Sequence, residues 1–198
     1  MPSAQEIIAA LTGSVKVAQR DPDALRYFDL SADAFWRSFT AIFYALPFYL
    51  VFITAGWRMG QEAGVELASS LPAYALSELF AYASLWALYP LAIAGLTRTT
   101  GLTRNFAPYV IVYNWSSLLI AAFMVPPYIF YSLGLVDVGG ASLFIFFLFI
   151  SVLAYRWILA TQVLKTNGLI ATGIVALDVG LSVLLAQLLQ AMRGTGAA

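Results

Sequence analysis

The chain has 198 residues, of which 62% are hydrophobic and 10% are charged, whereas a soluble domain carries roughly 25% charged residues. This composition excludes an ordinary soluble fold. Ten Lys and Arg residues balance ten Asp and Glu residues and are spread along the chain, so we expect no nucleic-acid partner.

Cysteine and histidine do not occur. Their absence excludes disulfides, Ser–His and Cys–His pairs and the usual zinc and copper ligand sets, so we predict no metal and no other cofactor. No glycine-rich phosphate loop is found. Glu78 and Asp178 differ in predicted membrane depth by about 5 Å, which argues against one catalytic cavity that holds both carboxylates. We therefore predict no catalytic residues and no enzyme activity.

Residues 1–37 precede the first apolar segment. Ser3 and Glu6 have the spacing of a capping box, and Asp21-Pro22 is expected to end the helix. The apolar side chains that share one face of this helix are Ile7, Ile8, Leu11, Val15 and Ala18. We interpret the segment as an amphipathic helix on the cytoplasmic membrane surface; packing on the other helices is the alternative. A cleaved signal peptide is not expected.

Five apolar segments follow, each long enough to cross a hydrocarbon core of about 30 Å. We predict an all-α, polytopic transmembrane bundle over residues 38–190 and a short tail at 191–198. The predicted spans are residues 38–57, 72–95, 105–125, 141–164 and 169–188. Asn105 is predicted to cap the third span, and Pro126-Pro127 to break or redirect its far end. Asn167-Gly168 favours a tight turn at 165–168, between the last two spans.

The loops on the two sides of the predicted bundle differ in basic residues. Arg58 and Arg193 lie on one side, which also carries Glu62 and Glu66, whereas the other side holds seven basic residues: Lys16, Arg20, Arg26, Arg37, Arg98, Arg104 and Lys165. Because cytoplasmic loops carry the excess of Lys and Arg, the N-terminus is predicted to be cytoplasmic and the C-terminus outside. Aromatic side chains near span ends, among them Tyr109, are expected at the membrane–water interfaces.

Three ionisable residues, Glu78, Arg156 and Asp178, lie within the predicted spans, where an unpaired charge is costly. Arg156 precedes the turn at 165–168 by nine positions and Asp178 follows it by ten, so both lie roughly 13 to 15 Å along adjacent antiparallel helices. We therefore predict an ion pair between Arg156 and Asp178. Asn114, about nine residues into the third span from the same side, is expected to join them in one mid-membrane polar layer.

This polar layer has two interpretations. In the structural one, a paired charge fixes the register and orientation of the helices. In the functional one, the layer lines a polar path, and Asp178 changes protonation or binds a cation during transport. Glu78, about six residues inside the second span, either takes part in such a path or reaches the membrane interface.

The fifth span carries a stripe of small residues, Gly173, Ala176 and Gly180, nearly opposite Asp178. Small residues admit close helix packing, so we predict a helix partner for this stripe. Either an internal span or a second copy of the chain fits this prediction. The phenylalanine-rich run at 144–149 surrounds most of its helix and is interpreted as lipid-facing.

Two segments carry a resemblance to a known family: Asp29-Leu30 before Phe35-Trp36-Arg37-Ser38-Phe39, and Tyr113-Asn114-Trp115-Ser116. With five closely spaced hydrophobic helices, the chain resembles the Yip1-like membrane proteins, in particular small inner-membrane proteins of alphaproteobacteria. The resemblance implies a cytoplasmic N-terminal segment before a five-span domain. The longer N-terminal motifs of eukaryotic members are missing, so neither their role in vesicle trafficking nor any site residue is implied.

The leading functional prediction is a non-enzymatic protein of a bacterial inner membrane that acts as a scaffold, assembly factor or accessory subunit through lateral helix contacts. The alternative is a small oligomeric transporter or channel that uses the polar layer. The expected partners are the lipid bilayer and another membrane protein or a second copy of the chain.

Overall fold

The computed structural model describes residues 1–65, 67 and 70–195, and side-chain surroundings up to residue 191. Glu66, the side chain of Arg193 and the last three residues of the predicted tail lie outside the described residues. No strand occurs in the described part of the chain. The seven α-helices found there are α1 Ala4–Ala18, α2 Ala32–Ser38, α3 Ala41–Glu62, α4 Leu71–Thr99, α5 Phe106–Ser132, α6 Val138–Val163 and α7 Gly168–Thr195.

Within the described residues, five helical segments are long and apolar enough to cross a membrane, which confirms the predicted all-α architecture with five candidate spans. These segments are Ala32–Glu62, Leu71–Thr99, Thr103–Ser132, Val138–Val163 and Gly168–Ala191. The first begins before the predicted residue 38, because α2 and α3 together form it: Phe39 N–H donates to the carbonyl of Trp36, and Thr40 N–H to that of Arg37. The chain therefore keeps a helical course between them.

Helix α5 is the central helix of the bundle. Half of its most apolar window is buried, against 17–28% for the other four spans, and it packs against α1, α2, α3 and α6. Helix α7 packs against α4 and α6. The first end of the bundle holds the α4–α5 and α6–α7 loops, and the second end holds the α3–α4 and α5–α6 loops.

The prediction that Pro126-Pro127 breaks the third span was wrong, because α5 continues through both prolines to Ser132. Proline removes an N–H donor from the helix. Ending the helix inside the hydrocarbon would leave many more backbone groups without partners, each at a cost of several kcal/mol. Pro47 and Pro90 likewise lie inside α3 and α4.

Two asparagines at the first end have different roles. Asn105 directly precedes α5, but its side chain makes no capping hydrogen bond; instead Asn105 Nδ2 donates to the carbonyl of Leu164 at 2.9 Å. The predicted cap is therefore a link between two loops. Asn167 Oδ1 accepts from Ile170 N–H at 2.9 Å and so caps α7, just after Lys165, whose φ of 55° makes the turn.

The N-terminal helix α1 begins at the predicted capping box, since Glu6 N–H donates to Ser3 Oγ at 3.1 Å. It packs against α5 and α6, which agrees with the alternative that this segment packs on the other helices. The buried face uses mainly small side chains: Ala10, Gly13, Ser14 and Val17. Ile8 and Val15 from the predicted apolar face are exposed. Close approach to α5 and α6 favours small residues over the branched ones that the periodicity selects.

An ion-pair cluster ties α1 to the start of the first span. Arg37 Nε lies 3.2 Å from Glu6 Oε1, and Arg37 Nη2 lies 2.8 Å from Asp29 Oδ2. Ser31 N–H donates to Asp29 Oδ1 and, with Arg37, lowers the pKa of Asp29. The cluster joins three parts of the N-terminal segment that precede α3.

Gly13→Ala should destabilise the docked N-terminal segment. A Cβ at residue 13 would overlap the ring of Phe28 and lie 2.8 Å from Tyr27 Cβ. Such overpacking costs about 1–3 kcal/mol of unfolding free energy, measurable as a lower Tm in detergent and faster tryptic cleavage at Arg20. Gly95→Ala is the control, because a Cβ there meets nothing within 4 Å inside a helix. Equal melting of the two variants would contradict the packing.

Candidate functional site

Arg156 on α6 and Asp178 on α7 form the predicted ion pair. Arg156 Nε lies 3.8 Å from Asp178 Oδ2, and the two side chains are 10% and 21% exposed. The equal depth predicted from helix rise is thus confirmed. The separation is too long for a hydrogen bond, so these two atoms interact as an ion pair without a direct hydrogen bond.

The guanidinium of Arg156 is fixed by helix α5. Arg156 Nη2 donates to Ser117 Oγ at 2.9 Å, and Nη1 donates to the carbonyl of Tyr113 at 3.4 Å. Its central carbon lies 3.6 Å from the centre of the Tyr113 ring. A guanidinium over an aromatic face gains a cation–π interaction that is stronger away from water. Hydrogen bonds and the ring therefore offset part of the cost of this buried charge.

Tyr113 also contacts the acid of the pair, since its hydroxyl donates to Asp178 Oδ1 at 3.0 Å. An ionised carboxylate has about four acceptor positions on its two oxygens. Within the described residues, Asp178 Oδ2 faces only Arg156 Nε, at ion-pair distance. Asp178 therefore keeps acceptor capacity for a ligand.

A layer of buried tyrosines closes the site toward the first end. The ring of Tyr89 stacks on that of Tyr113 with centres 4.2 Å apart, and the hydroxyls of Tyr89 and Tyr109 are 2.6 Å apart. Both Tyr89 and Tyr109 are buried. Tyr109, which was expected near a membrane interface, is thus buried inside the bundle, where its hydroxyl is paired with that of Tyr89.

A cavity of about 340 Å³ lies against the ion pair, between α4, α5, α6 and α7. The polar side chains in its wall include Tyr113, Asn114, Ser117, Arg156 and Asp178. The lining residues occupy positions 82–90, 113–117, 149–156 and 178–183, toward the middle of their helices. The site is therefore inside the bundle at mid-span rather than at a loop.

The remaining predicted polar residues are placed differently from the pair. Asn114 lines the cavity, but its Nδ2 donates to Ser38 Oγ at 2.9 Å and so connects α5 to α2. Glu78 is not among the cavity residues; Tyr49 OH donates to Glu78 Oε2 at 3.3 Å. The structure thus brings together Asn114, Arg156 and Asp178 and leaves Glu78 apart.

The small-residue stripe of α7 faces outward. Gly173, Ala176 and Gly180 are exposed, and a Cβ at either glycine would meet nothing within 4 Å. The alternative that an internal span fills this stripe was therefore wrong. Phe149, in the run interpreted as lipid-facing, is exposed but also lines the cavity.

Sequence reasoning missed Tyr113, Ser117 and Tyr89. A signal was present, because Tyr109, Tyr113 and Ser117 are spaced four residues apart and place three hydroxyls on one face of α5. A row of hydroxyls along an apolar helix indicates polar partners on neighbouring helices.

No group of three or more His, Cys, Asp or Glu side chains that could hold a metal ion occurs among the described residues. Comparison with family models, with curated proteins and with solved structures finds no match. The cavity and its ion pair are therefore the features of the described structure that bear on function.

Proposed function

We propose that this multi-pass protein binds a small ligand inside the bilayer, at the Arg156–Asp178 pair, as the first step of transport. The observation that carries the proposal is the cavity of about 340 Å³ against the pair. Ligand pockets of proteins measure about 300–1,000 Å³, so the cavity suits a small ligand. A pair that only fixed helix register would not need an open volume beside it.

The groups around the cavity have different roles in binding. Asp178 accepts hydrogen bonds from the ligand, and Tyr113 orients the carboxylate through its hydroxyl. Ser117 holds Arg156 in place from the other side. On the first-end side the hydrogen-bonded Tyr89 and Tyr109 block the way, as expected for a transporter that opens to one side at a time.

The proposal includes the membrane that holds the protein and the sides on which its two termini lie. The seven-to-two distribution of basic residues supports a cytoplasmic N-terminus and an outer C-terminus, and the resemblance to alphaproteobacterial proteins supports a bacterial inner membrane. The cavity lies between the two sides in either orientation. The absence of enzyme activity and the Yip1-like family remain predictions.

Asp178→Asn should strongly reduce ligand retention. The amide keeps the size of the side chain but loses its charge, and loss of a hydrogen bond to a charged group weakens binding by about tenfold or more. Mass spectrometry of the purified protein should show one small species in wild type at near-equal stoichiometry and little of it in Asp178→Asn.

Glu78→Gln is the matched control, because it makes the same chemical change outside the cavity. It should retain the ligand as wild type does. Equal amounts of the species in all three proteins, or no bound species in wild type, would refute the proposal.

A second candidate function is the scaffold or accessory subunit, which acts through lateral helix contacts. The outward-facing Gly173, Ala176 and Gly180 favour it, because nothing in the described structure covers them. In the same purification, one further protein chain at near-equal stoichiometry would support this candidate. A second copy of the chain would instead support the oligomeric transporter.

A further inference from the structure

The cavity has a mouth between α6 and α7. Of its lining residues, those exposed at the surface are Phe149 on α6 and Ser182 and Val183 on α7. The lining residues of α4 and α5 are buried or half-buried. A ligand therefore reaches the ion pair by passing between α6 and α7.

This mouth lies far from both ends of the bundle. Phe149 is eleven residues after the start of α6 at Val138 and fourteen before its end at Val163. Val183 is fifteen residues after Gly168, where α7 begins. These separations correspond to roughly 16–23 Å along each helix. In a hydrocarbon core of about 30 Å, the mouth faces acyl chains rather than water.

The mouth is also mainly apolar. Phe149, Val152, Leu153, Val179 and Val183 line the side near α6 and α7. The polar side chain at the mouth, Ser182, donates its hydroxyl to the carbonyl of Asp178. An ion or a sugar would lose its hydration there without replacement hydrogen bonds, at a large cost. A hydrocarbon chain would exchange one apolar surrounding for another. The wall chemistry therefore favours a ligand that carries a chain and already resides in the lipid.

The floor of the cavity selects the headgroup. Arg156 and Asp178 carry opposite charges, so a charged headgroup would leave one charge unbalanced in a low-dielectric site. Arg156 Nε and Asp178 Oδ2, 3.8 Å apart, have no hydrogen bond to each other. One hydroxyl group can accept from Nε and donate to Oδ2 at the same time.

We propose that the ligand is a single-chain amphiphile with an uncharged, hydroxyl-bearing headgroup, which enters from the lipid phase between α6 and α7 and bridges Arg156 and Asp178. This inference rests on the proposed function and specifies its ligand. The cavity volume, near the lower limit for ligand pockets, accommodates the headgroup and the first part of the chain, and the rest extends through the mouth.

Trp86, which lines the cavity, reports on this binding. The probe is octadecanol brominated near the hydroxyl end, mixed into phosphatidylcholine nanodiscs that contain the full chain. Bromine quenches tryptophan on contact, and the Trp86 signal is the difference between wild type and Trp86→Phe. We expect quenching that saturates at a low mole fraction of the alcohol.

Val183→Phe fills the mouth, whereas the neighbouring Leu184→Phe is the matched control on an exposed residue outside the cavity. We expect the first to weaken saturable quenching by about tenfold and the second to leave it unchanged. Asp178→Asn should weaken it to a similar degree, since it removes a charged acceptor.

Quenching that rises in proportion to the alcohol and is equal in all variants would overturn the lipid-phase ligand. The proposed function would survive that result if a co-purified ligand still depended on Asp178. If neither readout depended on Asp178, both proposals would fail. Saturable quenching that persisted in Asp178→Asn would overturn the assignment of the headgroup to the ion pair.

Discussion

Arg156→Met should lower the unfolding free energy by about 3–5 kcal/mol, because it leaves Asp178 as an uncompensated charge inside the membrane. The same change removes the ring contact and the hydrogen bond to Ser117. The measurements are Tm in detergent and the amount of protein in the membrane.

The double variant Arg156→Met with Asp178→Leu separates charge imbalance from packing. With both charges removed, most of the lost stability should return, since apolar replacements of a buried ion pair are often neutral or stabilising. Ligand retention should not return. A double variant as unstable as Arg156→Met would contradict the pairing.

Exchanging the two charges, with Arg156→Asp and Asp178→Arg, should restore less of the lost stability than removing both charges. Ser117 Oγ and the Tyr113 carbonyl accept from the guanidinium, so they favour a donor at residue 156 over a carboxylate. An aspartate there would also be too short to reach across the Tyr113 ring.

Tyr113→Ala is expected to destabilise the protein by about 3–5 kcal/mol, which is typical of a large aromatic residue removed from a core. Tyr113 supplies the ring under Arg156, the hydroxyl on Asp178 and the stacking partner of Tyr89. Tm in detergent measures the loss.

Tyr113→Phe separates the contribution of the hydroxyl group from that of the ring. It keeps the ring and removes only the hydroxyl donor to a charged acceptor, which costs about 1.5–3 kcal/mol. Tyr27→Phe, at an exposed residue, is the control and should leave Tm unchanged. If Tyr113→Phe melted like wild type, the hydrogen bond to Asp178 would contribute nothing to stability.

The sequence predicted the Arg156–Asp178 pair because helix rise and a short turn determine depth without any tertiary information. It could not predict the partners of Asn105 and Asn114, because their hydrogen bonds go to Leu164 and Ser38, far away in the chain. The spacing of neighbouring residues in the sequence gives no information about such long-range contacts.

The cavity was beyond sequence reasoning for a different reason. Its volume is bounded by side chains of four helices, whose rotation about their axes decides which residues meet. Tyr113 was missed because a tyrosine in an apolar span could equally face lipid or lie at the membrane–water interface. The five spans, by contrast, follow from composition and length alone. Orientation and family remain predictions from the sequence.

Tyr155 and Arg156 are consecutive on α6 and therefore point about 100° apart. Tyr155 OH donates to the carbonyl of Ser14 on α1 at 3.1 Å, whereas Arg156 faces Asp178 on α7. A turn of α6 about its axis that separated the ion pair would also pull Tyr155 away from Ser14. Helix α6 thus contacts both the N-terminal helix and the ion pair through two consecutive residues.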